Sequence, residues 1–212
     1  GLKEAKKSLQ IASEFEGVYV CLGLEPYSDE DPAGIIELIK KNKPKLVGIG
    51  EVGLDYWWGK TDDQRNKQQE NFLRFIKLSK ELKLPLVIHS RSAGHQAIEI
   101  LINENAQQIM MHAFDGKASH AMAGIEKGFM FSIPPSVVRS EQKQKLARAI
   151  PLENLLLETD SPVLGIDSKS RNEPQFLIES AKKIAELKSI SLDKVIEATT
   201  ENANNLFKLG IL

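Results

Sequence analysis

VYVCLGL (18–24) decides the class of fold. A short, nearly unbroken apolar run rich in β-forming residues is the mark of a strand buried on both faces, and such strands belong to parallel sheets. Upstream, Leu2, Ala5, Leu9, Ala12 and Phe15 recur at helical spacing among lysines and glutamates, predicting an amphipathic helix that ends at Gly17. Downstream, five more runs of the same kind follow: LVGIGE from Leu46, LPLVIH from Leu84, IMMH from Ile109, FMFSI from Phe129 and LLLE from Leu155. Helical patterns fill the intervals, centred on Ile35–Ile39, Phe72–Leu78, Ile98–Leu101, Ser119–Lys127 and Glu141–Ile150, with two terminal helices over Gln175–Leu187 and Ser191–Phe207. Strand and helix alternating six times predicts successive right-handed crossovers and a parallel sheet with helices outside. A doubly wound sheet and a barrel both satisfy that pattern.

Composition narrows the class of protein. The 212 residues are 42% hydrophobic and 27% charged, the balance of a soluble globular chain. No linker or low-complexity tract divides them, so one domain over 1–212 is expected. A formal net charge of -1 carries no global nucleic-acid footprint, and a polyanionic partner must be held locally. The single cysteine, Cys21, allows no intrachain disulfide and reads as a small buried hydrophobe in a reducing compartment, cytoplasm or nucleus. No apolar run approaches the ~18 residues that span a bilayer, and no signal-like segment opens the chain. The lysines of KKNKPK (40–45) oppose the dipole at a helix C-terminus rather than form a binding patch.

Glu51 closes LVGIG, His89 closes LPLVI, His112 follows IMM and Asp160 follows LLLET. The carboxyl ends of parallel strands carry the chemistry, because the loops there face one opening. One such histidine would read as a packing residue; four ligand-type residues at equivalent positions point to a metal site. Carboxylates with imidazoles suit Zn²⁺, Mn²⁺ or another borderline divalent cation better than Ca²⁺. A divalent ion with an open position acidifies water and polarises phosphoryl or carbonyl oxygens, so hydrolysis is the expected reaction. Asp160 is the expected ligand and base, and Glu158 a residue that orients a histidine in support.

The stretches GIGEVGLDY (48–56), LPLVIHSRSAG (84–94), MMHAFDG (110–116), FSIPPSVVRS (131–140), LENLLLETDSP (152–162) and RNEP (171–174) resemble the TatD family of metal-dependent deoxyribonucleases, in order, from Ser8 to Phe207. HSRSAG, HAFDG and SIPPS are most similar to the branch that includes the third TatD-domain protein of animals; bacterial members usually have an acidic residue in place of Ser92. The resemblance implies a TIM-like (β/α) barrel, two divalent cations (zinc, manganese or magnesium) and nuclease activity on DNA ends. It gives Glu51 to the metal-bridging glutamate, His89 and His112 to two histidine ligands, Asp160 to the aspartate that ligates metal and water, and Arg91 to a basic residue suited to a phosphate oxygen. Arg91 in an ion pair with a loop carboxylate is the bland alternative.

Two departures from the pattern shape the expectations. The family opens with a strand carrying His-x-His and a second strand, and Glu25 stands in CLGLEP (21–26) where members commonly have histidine. Six strand signals against the eight of a closed barrel predict a barrel lacking its first two strands, with 18–24 and 154–158 flanking the gap. The helix Leu2–Phe15, packed outside 18–24, or a partner chain would then cover it. A single cation at Glu51, His89 and His112 is expected of such a chain. Tyr56, Trp57 and Trp58 follow the Glu51 strand and are placed to stack an unpaired base, or to form a packed lid. The partner expected is thus single-stranded or frayed DNA, with no membrane. A metal-impaired barrel that binds nucleic acid or protein without turnover is the alternative, and a lactone or amide hydrolase ranks last.

Overall fold

A computed structural model describes residues 1–211. It divides into two compact units, Gly1–Met110 and Met111–Leu212.

In the first unit the order is α1 (Leu2–Glu14), β1 (Val20–Leu22), α2 (Pro32–Asn42), β2 (Leu46–Gly53), α3 (Asp62–Leu82), β3 (Leu86–His89) and α4 (Gly94–Asn103). β1, β2 and β3 pair side by side in parallel, with Cys21 opposite Gly48, Ile49 opposite Leu86 and Gly53 opposite His89. Ile49, Leu86 and Ile88 are fully buried beneath Ile35, Ile39, Phe72, Phe75 and Ile76 of the helices, which is why the strand runs are apolar on both faces. α1 packs on β1 and α2 with Ala5 as its one buried residue. β1 is shorter than the run that predicts it, because Val18 and Tyr19 precede the ladder and are exposed. β4 (Ile109–Met111) spans the division between the units.

In the second unit follow α5 (Ala118–Glu126), β5 (Met130–Ile133), α6 (Glu141–Ala149), β6 (Leu155–Leu157), α7 (Leu177–Lys188) and α8 (Leu192–Phe207). β5 and β6 pair in parallel, Phe131 opposite Leu155 and Ile133 opposite Leu157. Asn202 of α8 donates to the carbonyls of Leu152 and Leu155 at 2.9 and 2.8 Å, fixing the start of β6. Every run expected to be a strand contains one, and no further strand appears among the described residues.

Candidate metal centre

Glu51 lies on β2 two residues before Gly53, and Gly53 is what lets β2 approach β3. Its φ of +141° is one that other residues rarely adopt, and a Cβ there would stand 2.1 Å from the His89 carbonyl oxygen. The close approach sets Glu51 Oε1 2.6 Å from His89 Nδ1. Just past β2, Asp55 is buried, with Oδ2 2.8 Å from His89 Nε2 and Oδ1 accepting from Trp58 N–H at 2.9 Å. Gln68 of α3 accepts from Asp55 N–H and donates to its carbonyl, at 2.8 and 3.1 Å, so the helix holds the loop. Burial lowers the His89 pKa, but hydrogen bonds and charge from Glu51, then Asp55, outweigh it and hold the ring above its ordinary value.

His112 follows β4 and Glu158 follows β6. His112 Nδ1 bonds Glu158 Oε2, and Ala113 N–H donates to Glu158 Oε1 at 2.9 Å. Asp160, at φ +57°, a region aspartate tolerates, brings Oδ1 to 3.4 Å from His112 Nε2.

The two histidines are built alike. Each has one ring nitrogen against a deep carboxylate, Asp55 at 1% side-chain exposure or Glu158 at 9%. Each has the other beside an outer carboxylate, Glu51 at 34% or Asp160 at 30%. With the proton held on the anchored nitrogen, the second nitrogen offers a lone pair next to a carboxylate oxygen, the donor pairing that zinc-type cations take. The residues therefore fit a divalent cation in donor chemistry. Among the described residues no three histidine, cysteine, aspartate or glutamate side chains close on one point; around His89 the two carboxylates sit on opposite nitrogens.

Arg91 lies over Trp57, its Cζ 4.1 Å from the ring centroid, and among the described residues it forms no ion pair with a carboxylate. Trp57 and Trp58 meet edge to face at 4.8 Å, 44% and 54% exposed. Tyr56 is engaged, its hydroxyl accepting from Gln69 at 2.7 Å and its ring covered by Arg65. Glu25 and Glu51 line one recess of about 140 Å³ that α1 borders through Glu4 and Ser8.

Three residues escape the sequence reading. Asp55 had a signal, a carboxylate in the loop after a ligand strand. Lys143 had one too, since it shares a helical face with Leu146 and Ala147; it is buried, and Nζ donates to the Ala113 and Phe114 carbonyls at 2.5 and 2.7 Å. Burial lowers its pKa, opposed by the charges of Glu158, Asp115 and Asp160. Tyr27, which stands edge-on to His89 at 6.4 Å and tilted to Trp58 at 6.2 Å, had none.

Imidazoles paired with carboxylates at the carboxyl ends of parallel strands define a metal-dependent hydrolase of the α/β class. Residues 1–208 match the family described as TatD related DNase, and the chain belongs to that family. Among its relatives, deoxyribonuclease TATDN3 of Homo sapiens is 43% identical over 218 residues, covering 96% of this chain and 80% of the relative. The uncharacterized metal-dependent hydrolase YabD of Bacillus subtilis is 34% identical over 215 residues, covering 96% and 83%. In structure, the TatD homolog YJJV of Escherichia coli superposes with a TM-score of 0.89 at 24% identity, over 98% of this chain and 83% of that one. A TatD-family hydrolase of Entamoeba histolytica gives 0.83 at 21%, over 97% and 80%. The fold is the TIM-like barrel fold of these proteins, with six parallel strands.

Proposed function

We propose that this chain hydrolyses phosphodiester bonds of DNA at single-stranded or frayed ends, and that Glu51, His89, His112 and Asp160 hold the divalent cation it needs, zinc, manganese or magnesium. The observation that carries the reading is the repeated arrangement of the two histidines, each pinned by a deep carboxylate and offering its other nitrogen beside a more accessible one. The names of the relatives, deoxyribonuclease and metal-dependent hydrolase, support the substrate and the metal.

When bound, the cation supplies Lewis acidity toward a phosphoryl oxygen and acidifies water. Glu158 keeps a proton on His112 Nδ1 and so leaves Nε2 as the donor nitrogen. Asp160 takes the proton of the attacking water on a carboxylate oxygen. Arg91, spread over Trp57, keeps its N–H edges for a phosphate oxygen, and the exposed faces of Trp57 and Trp58 stack an unpaired base.

The test compares a labelled single-stranded oligonucleotide with a small phosphodiester that has no second base, with each cation and with chelator. Cleavage of the oligonucleotide only in the presence of cation is expected. Turnover of the small diester with none of DNA would remove DNA as the substrate, and equal cleavage in chelator would remove the metal.

A further inference from the structure

We propose that a cleft lined by the segment that follows Asp160 binds the backbone phosphates of a single DNA strand, an inference that rests on the DNA-hydrolase reading above. The cleft has a volume of about 480 Å³, within the range of ligand clefts, and is lined by Arg139, Asp167, Lys169 and Arg171 together with the segment 162–165. Three cations therefore face one carboxylate, in a chain whose net charge is -1. That carboxylate is already engaged: Asp167 Oδ1 accepts from the N–H groups of Lys169 and Ser170, each at 2.7 Å. Among the described residues the charged ends of Lys169 and Arg171 meet no carboxylate.

The root of one of these cations, Arg171, is also tied to the backbone around Asp160. Asn172, next to Arg171, is buried and donates through Nδ2 to the carbonyls of Thr159 and Val163 at 2.6 and 2.7 Å. Val163 N–H in turn donates to the Asp160 carbonyl at 2.9 Å. This knot ties the root of Arg171 to both sides of the proposed base. On the other wall Arg139 donates through Nε to the Gly165 carbonyl at 3.3 Å, leaving its terminal N–H groups for a ligand. A guanidinium fork matches two phosphate oxygens, and a strand presents phosphates at regular short intervals, so one near the reacting phosphate meets the cleft.

The double variant Lys169→Gln/Arg171→Gln tests this, since both side chains are exposed and neither holds the fold. Binding of a fluorescent single-stranded oligonucleotide is followed by anisotropy in chelator, over a range of salt. Affinity at low salt should fall on the order of tenfold, and the slope of log affinity against log salt should flatten by about 1.4, or ~0.7 per lost phosphate contact. With cation restored, KM for the oligonucleotide should rise while turnover of the small phosphodiester stays unchanged. An unchanged affinity and slope overturns the cleft. If the native protein hydrolyses DNA and the variant does so equally well, the cleft alone is wrong. If the native protein binds the strand through these residues but never cleaves it, the cleft stands and the proposed function falls. Absence of any binding overturns both.

Discussion

His89 stands between two carboxylates, and its proton answers to both. Because its folded-state pKa is raised above the ordinary value near 6.5, the proton stabilises the metal-free protein. That contribution is fully present below the unfolded pKa and is lost as pH rises through the folded one. Cation uptake must displace the same proton. Apparent metal affinity should therefore drop by up to about tenfold per pH unit below the raised pKa and level off above it. Calorimetric titrations across the neutral range check this, and an affinity flat through that range would contradict it. Asp55→Asn removes the buried carboxylate that orients the ring, and metal affinity should fall by about 10–100-fold; an unaltered affinity would return Asp55 to a role in the loop alone. Trp57→Ala and Trp58→Ala should raise KM for a single-stranded oligonucleotide more than for the small phosphodiester, because only the former can stack. Equal effects on both would make the pair a packed lid.

Elements were legible where apolar side chains record the packing, and less so where polar ones do. The six strand runs are apolar because both of their faces are covered, and each contains its strand. α3 shows the opposite case. Its apolar pattern marks Phe72 to Leu78, yet the helix begins ten residues earlier, at Asp62, where Thr61 and Gln64 form a capping box. Buried Gln68 lies in that polar half and grips Asp55, so the support of the site was written in residues that read as a solvated face. Thr61→Ala should cost about 1 kcal/mol, read as a lowered melting temperature, and should loosen the grip on Asp55; an unshifted melting temperature would show the cap to be dispensable. Lys143 escaped for a related reason: it shares a face with Leu146 and Ala147, but with Lys145 and Arg148 of the same helix it reads as part of a solvated basic surface.

For the whole molecule, one domain over 1–212 remains our proposal. The division into two units falls inside β4, with Ile109 and Met110 on one side and Met111 on the other. Units that share a strand should unfold together, so scanning calorimetry is expected to show a single cooperative transition. Two resolved transitions would make the units independent. A net charge near zero leaves DNA to be held by local groups, for which we propose Arg91 with the tryptophans in one unit and the cleft of Arg139, Lys169 and Arg171 in the other. The proposed hydrolysis depends on Asp160 as the group that takes the proton of water. Its most direct test is Asp160→Asn, which keeps the size of the side chain and removes its charge, measured as oligonucleotide hydrolysis at saturating cation with metal content followed by elemental analysis. Turnover should fall by a factor on the order of 10² or more while the protein still takes up cation through Glu51, His89 and His112. Near-normal turnover in this variant would contradict it and pass the role to Glu158.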